Sequence, residues 1–253
     1  MKNIALVTGA TAGIGKAIAN KLANLNFNLI LTGRRNDRLQ ELKKELSSKY
    51  PHIAILNLNF DIRNRKELFE QINKLGSEWE AIDVLINNAG LAAGLSTIQE
   101  GDIDDWEQMI DTNIKGLLYM TRAIAPLMIE RGKGQIINIG SIAGKEVYPN
   151  GGVYCSTKHA VDALTKGMRI DMLPHGIKVS AIHPGMVDTE FSTVRFKGDK
   201  KRADAVYDGL TPLYAEDIAD AVEFAITRPA HVNINDMVIM PTNQAAATIV
   251  DRK

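Results

Sequence analysis

Short apolar runs recur along this chain, separated by longer stretches with helical spacing. The runs cover residues 4–7, 28–32, 53–58, 84–87, 135–139, 178–182 and 237–240. Most are apolar at consecutive rather than alternate positions, the pattern of parallel strands covered on both faces. Between them, residues 38–46 and 216–226 are amphipathic at helical spacing. The stretch before Pro174 repeats Val161, Leu164, Met168 and Met172, which points to a core face or a subunit interface. Seven strands alternating with helices predict an α/β fold, a doubly wound seven-stranded parallel sheet with helices on both faces. No Pro/Gly/Ser-rich linker divides the chain and no internal repeat is evident, so a single domain, 1–253, is expected. One segment breaks the rhythm. Residues 185–212 have mixed charge, few periodic apolar positions and no strand. An irregular segment of that length in a compact domain usually serves function, often as a lid.

Composition narrows the picture mainly by exclusion. The 253 residues are 45% hydrophobic, and 30 basic residues cancel 30 acidic ones, so no overall charge draws the chain to nucleic acid or membrane. The single cysteine, Cys155, forbids an intrachain disulfide and argues against a thiolate metal site. The five histidines lack ligand spacing, and no metal is expected. The amino-terminal apolar run is too short for a signal peptide, and none approaches the ~18 residues of a membrane span. A cytoplasmic location is the expectation.

The chemistry begins where the first run enters Thr8-Gly9-Ala10-Thr11-Ala12-Gly13-Ile14-Gly15. Glycines in a strand-to-helix turn let backbone approach a pyrophosphate, and the following helix aims free N–H groups at it. A tight turn that needs glycine only for its dihedrals is the simpler alternative. The second run ends Thr32-Gly33-Arg34-Arg35. A carboxylate here would suit the ribose 2′-OH of NAD, whereas guanidiniums suit the 2′-phosphate of NADP. NADP is therefore the expected cofactor. The third run leads to Asp61-Ile62, where the carboxylate could accept the adenine amino group or merely cap the helix from Asn64 onward. The fourth ends Asn87-Asn88-Ala89-Gly90, small and amide residues that would lie against the adenosine ribose and stitch strand ends together.

Past the middle of the chain, Tyr154 and Lys158 lie four residues apart, on one face of a helix. Ser141 follows the run at 135–139, at the carboxyl end of a strand where open α/β sheets bind ligands. An ammonium beside a phenol favours the phenolate and should lower the tyrosine pKa from about 10. Such a phenol can exchange a proton with an alcohol or a carbonyl. A half-buried tyrosine and a solvated lysine would give the same spacing.

In order and spacing, Thr8–Gly15, Asn87–Gly90, Asn113, Ser141, Tyr154, Lys158 and Pro184-Gly185 resemble the short-chain dehydrogenase/reductase family over essentially the whole chain. The resemblance implies a Rossmann-like fold with Tyr154 as acid/base and Lys158 on the nicotinamide ribose. It implies Ser141 on the substrate oxygen and Asn113 on a water linking Lys158 to solvent. It further places Pro184 and Gly185 at the nicotinamide and Val187 and Thr189 at its carboxamide, and it implies a homotetramer. Three stretches, at 111–117, 194–199 and 229–235, are similar to bacterial and yeast NADP-dependent 3-hydroxy acid dehydrogenases, which oxidise serine and allo-threonine. A hydroxy acid carries a carboxylate that needs a cation, and Arg195, between Val194 and Phe196, is the candidate; a surface arginine is the alternative. A carbonyl or 3-oxoacyl reductase, or a cofactor-binding sensor without turnover, are the rival functions.

Overall fold

The computed structural model describes residues 2–253. Seven parallel strands form one sheet: β1 (Ile4–Val7), β2 (Asn28–Gly33), β3 (Ile55–Asn59), β4 (Ile82–Asn87), β5 (Gly134–Ile139), β6 (Ile177–Pro184) and β7 (Asp236–Ile239). Their order is β3-β2-β1-β4-β5-β6-β7. The direction of winding reverses between β1 and β4, and that reversal opens a crevice at the strands' carboxyl ends.

β1 shows why the runs are continuous. Ala5 and Val7 face one core and Ile4 and Leu6 the other, all buried. The first core is closed by α1 (Gly13–Asn24), α2 (Asn36–Lys49) and α9 (Ala215–Ile226), through Ile18, Leu22, Leu39, Leu42, Leu46, Ile218 and Val222. The second is closed by α3 (Arg65–Asn73), α5 (Leu117–Arg131) and α6 (Gly152–Met172), through Leu68, Met120, Ile124 and Met128. Each fully buried aliphatic side chain contributes about 1.5–3 kcal/mol, so burial on both faces holds the layers. Val161, Met168 and Met172 are buried in that second core with Leu164 packed against it. That face is therefore core, and the subunit-interface alternative for it is corrected.

Two local departures matter for the site. Residues 111–120 are not one regular helix. α4 (Ile103–Ile110) runs into a π-helical turn, Asp111–Gly116, before α5 begins. The 185–212 segment is more ordered than its composition suggests, with two short helices, α7 (Glu190–Arg195) and α8 (Lys200–Ala205). Thr189 caps α7 and Asp199 caps α8 through their side chains, which is why helices form without apolar periodicity. Among the described residues, no helix is long and apolar enough to cross a membrane.

Candidate active site

The carboxyl ends of the strands open into one cleft of about 560 Å³. Most candidate residues named from the sequence line it, among them Gly9, Arg34, Ser141, Tyr154, Lys158 and Arg195, whereas Thr8, Ala10, Asn87 and Asn113 lie outside its lining.

The glycine turn is built for close approach. Gly9 and Gly13 have φ of 65° and 48°, backbone that favours glycine. A Cβ on Gly15 would stand 2.3 Å from the Gly9 carbonyl oxygen, and one on Gly13 3.1 Å from Thr189 Cβ. α1 starts with no side-chain cap among the described residues and no acid in its first turn. Its first amides therefore face the cleft as an anion site. The adjoining strand ends are stitched as expected. Thr8 Oγ1 accepts from the Asn88 and Ala89 amides, at 3.0 Å each, and Asn88 Nδ2 donates to the Thr8 carbonyl at 2.9 Å. Asn87 Nδ2 donates to Asn138 and Thr121.

At the end of β2, Arg35 Nη2 donates to Thr11 Oγ1 at 2.9 Å, and Arg35 Nη1 reaches Glu190 at 3.1 Å. Arg38 reaches the same carboxylate at 2.8 Å, one helical turn along α2, and the two guanidiniums hold the Glu190 carboxyl below its ordinary range. Arg34 lies 3.8 Å from Asp61. The cap reading of Asp61 is corrected: Asn64 caps α3 by accepting from the Glu67 amide. Asp61 instead accepts from Arg63 at 2.7 Å and borders the cleft.

Ser141 follows β5, and its Oγ accepts from the Ala143 amide at 3.1 Å. Tyr154 and Lys158 project from α6 one turn apart, both buried. Lys158 Nζ donates to the Ile139 carbonyl at 3.0 Å. Burial alone lowers the Lys158 pKa to about 8. Burial also raises Tyr154, and neighbouring Tyr148 adds to the rise, while Ser141 and Arg195 pull it down. The expected drop in the tyrosine pKa is thus not present in the free protein. Desolvation disfavours both charged forms.

Asn113 sits on the π turn, behind the cleft wall. Its Oδ1 accepts from the Leu91 amide at 2.9 Å, and its Nδ2 donates to the Leu91 carbonyl at 2.8 Å and to Thr157 Oγ1 at 3.0 Å. Thr157 in turn donates to the Tyr154 carbonyl at 2.8 Å. The side chain that fits a regular helix poorly is held by the wider turn, a feature often found at functional sites.

β6 ends at Pro184 and leads into Gly185, where a Cβ would stand 2.4 Å from Gln244 Oε1. That oxygen accepts from the Met186 amide at 2.9 Å. Val187 accepts from the Tyr207 hydroxyl at 2.8 Å. α7 then lies across the cleft, with Phe191 packed 5.7 Å from the Tyr154 ring. The Arg195 guanidinium stands over Tyr148 at 5.3 Å and Tyr154 at 5.6 Å. Its Nε donates to the Gly94 carbonyl at 3.3 Å, while its Nη2 is buried with no hydrogen-bond partner among the described residues. Cys155 is fully buried among Leu91, Ala92 and Met109.

Sequence reasoning missed Arg38, Tyr148, Glu190 and Gln244. Arg38, one turn beyond Arg35, was the findable one. Tyr148 and Gln244 are brought in by loops, and Glu190 by the first residue of α7. The absence of histidine ligand spacing also concealed one cluster, in which His183 meets Asp162 and Asp236. Lys145 Nζ donates to both carboxylates, at 2.7 and 2.5 Å, and supplies the cation there.

The arrangement of glycine cradle, serine, tyrosine and lysine in one cleft has close counterparts. The family model for short chain dehydrogenase matches residues 3–200. This chain belongs to the short-chain dehydrogenase family. Within the family, it is 48% identical over 245 residues to the NADP-dependent 3-hydroxy acid dehydrogenase YdfG of Salmonella typhi, covering 96% of this chain and 97% of that one. It is 45% identical over 255 residues to sulfoacetaldehyde reductase 2 of Chromohalobacter salexigens, covering all of both chains. Among solved structures, the closed form of a serine dehydrogenase complexed with NADP+ superposes with a TM-score of 0.92 at 45% identity, covering 99% of each chain. The seven-stranded sheet and the crevice at its switch point are thus the family's fold.

Proposed function

We propose that this short-chain dehydrogenase is an NADP-dependent oxidoreductase acting on a secondary alcohol or its ketone, with a 3-hydroxy acid such as serine or allo-threonine as substrate class. Similarity to the 3-hydroxy acid dehydrogenase and to the serine dehydrogenase supports it. The observation that carries the substrate class is Arg195 Nη2, beside Tyr154, a buried donor with no acceptor among the described residues.

The cradle of Gly9, Gly13 and Gly15 at the α1 amino terminus fits a pyrophosphate. Ile14, Asp61, Ile62, Asn88, Ala89 and Gly90 border the adenosine, and Arg34 and Arg35 take the 2′-phosphate, with Arg38 beside them. Pro184, Gly185, Val187 and Thr189 receive the nicotinamide end. The cofactor, when bound, accepts or supplies the hydride.

The chain's own residues handle orientation and the proton. Ser141 Oγ donates a hydrogen bond to the substrate oxygen. Tyr154 takes the proton at its phenolic oxygen in alcohol oxidation and returns it in carbonyl reduction. Lys158, buried beside it, supplies the compensating charge. Asn113 holds the π turn against Thr157, so the base of the Tyr154 turn is fixed. A buried substrate carboxylate needs a paired cation, and the planar fork of Arg195 fits one bidentately. α7 and the rest of 185–212 act as the lid that brings Arg195 in.

A second reading has its own support. Similarity to the sulfoacetaldehyde reductase favours a carbonyl with a sulfonate on the neighbouring carbon. Arg195 would meet the sulfonate in the same way. Assembly as a homotetramer in the cytoplasm completes the proposal. α4 and α5 expose Ile103 and Leu118, while α9 and β7 expose Phe224 and Val238, two separate apolar faces as D₂ symmetry requires. Steady-state kinetics with NADP+ and serine, allo-threonine or a neutral secondary alcohol, and with NADPH and sulfoacetaldehyde, test the function. Turnover of hydroxy acids above the neutral alcohol supports the first reading. Preference for sulfoacetaldehyde supports the second, and activity on none contradicts both.

A further inference from the structure

Behind Ser141, on the side away from the cleft, lies a buried polar cluster that the proton relay does not use. His183, on β6, is fully buried. Its Nδ1 lies 3.2 Å from the Ser141 carbonyl oxygen. A carbonyl only accepts, so the bond requires a proton on Nδ1. Nε2 has no aligned hydrogen-bond partner among the described residues, although Asp236 Oδ1 lies 2.9 Å and Asp162 Oδ1 3.7 Å away. Lys145 binds both carboxylates and Lys166 binds Asp162 at 2.6 Å. The imidazole is thus backed by a charge-balanced cluster.

The packing on the serine side is equally constrained. Gly140 donates to the Ile182 carbonyl at 2.7 Å, and a Cβ there would stand 2.4 Å from His183 Nδ1. A Cβ on Gly144 would stand 2.5 Å from the Lys158 carbonyl oxygen. The loop carrying Ser141 is pressed between the His183 ring and α6. The Ser141 carbonyl accepts from the Gly144 amide at 2.8 Å and from His183 Nδ1 at 3.2 Å, and the two bonds together set the direction in which the Ser141 hydroxyl leaves the backbone.

We propose that His183 is a positioning residue for Ser141, holding the serine loop by donating from Nδ1 to the Ser141 carbonyl, with Asp162, Asp236 and Lys145 steadying the ring. This rests on the assignment of Ser141 to the substrate oxygen. Its consequence is separable from packing, because the position of the donor matters. Asparagine Nδ2 is as many bonds from Cα as imidazole Nδ1, whereas glutamine Nε2 matches Nε2, and leucine fills space with no donor.

The test compares His183→Asn, His183→Gln and His183→Leu with Ser141→Ala. The readouts are kcat and KM for serine with NADP+, the dissociation constant of NADP+ by calorimetry, and thermal melting. His183→Asn should keep kcat within a few-fold of the wild type. His183→Gln should lose about tenfold, the effect on a rate of one lost hydrogen bond, with NADP+ affinity unchanged. His183→Leu should lose as much; if it fails to fold, the Asn and Gln pair decides. Equal kcat in all His183 variants, or Asn as impaired as Gln, overturns the proposal. Native turnover in Ser141→Ala removes the assignment on which it rests, whereas loss in Ser141→Ala with a flat His183 series overturns the positioning role alone.

Discussion

The guanidinium of Arg195 stands 5.6 Å from the centre of the Tyr154 ring, and both residues line the cleft. Its backbone is fixed from the opposite side, since the Gly94 amide donates to the Arg195 carbonyl at 3.0 Å. Lys197 extends the clasp with ion pairs to Asp102 and Asp105 at 3.2 and 3.0 Å. The cation is therefore carried by a short helix latched across the cleft.

Arg195→Ala should raise KM for serine or another anionic substrate by tenfold or more, the scale of a lost charge-assisted bond of about 1.5–3 kcal/mol. KM for a neutral secondary alcohol should change little. Parallel effects on charged and neutral substrates would show that Arg195 organises the lid rather than binding the anion.

Cofactor choice should follow the arginines at the end of β2. Arg34→Ala combined with Arg35→Ala should weaken NADP+ at least tenfold and NAD+ only slightly, as measured by titration calorimetry. The structure adds a corollary, because the Glu190 carboxylate occupies Arg35 and Arg38. Glu190→Gln frees both guanidiniums and should tighten NADP+ relative to NAD+. Equal wild-type affinity for the two cofactors would contradict the phosphate assignment.

Much of this was legible in the sequence, for identifiable reasons. β1 begins and ends where its apolar run does, and β2 to β7 shift by one or two residues at most of their ends, because strands buried on both faces leave uninterrupted apolar runs. The glycine turn, Tyr154 and Lys158 could be placed because their spacing has a geometric meaning within one turn. What failed depends on distance in sequence. Glu190 meets Arg35 across 155 residues, and Gln244 meets Met186 across 58, with no local periodicity to signal either. The Tyr154 pKa went the wrong way because spacing shows a neighbouring ammonium but not the depth of burial. α7 and α8 escaped notice because side-chain caps, not apolar stripes, define them.

Asn113→Ala should cost stability as well as activity. It would leave the buried Leu91 amide and carbonyl without their partner, about 1–3 kcal/mol for each group left unsatisfied. Chemical denaturation checks the loss. A variant as stable as the wild type would mean that the π turn is held by something else.

Two pH dependences follow with opposite signs. In the free protein, Lys158 titrates near 8 rather than at its ordinary 10.5. Between those values the unfolded chain binds the extra proton, so this group's contribution to stability grows as pH rises. Tyr154 lies above its ordinary 10, so its contribution is lost as pH climbs past 10. Lys158→Met should flatten the rise between about pH 8 and 10 in cofactor-free melting experiments. Cofactor-free melting temperatures for Lys158→Met that rise as steeply as the wild type over that range would contradict the burial argument.

The central claim is that Tyr154 moves the proton while the rest of the cleft binds. Tyr154→Phe removes one oxygen from a fully packed ring. Its kcat for serine oxidation with NADP+ should fall by about 10²-fold or more, the scale of general acid–base catalysis, with NADP+ affinity unchanged by calorimetry. Turnover near the wild-type rate in the purified variant would contradict the account.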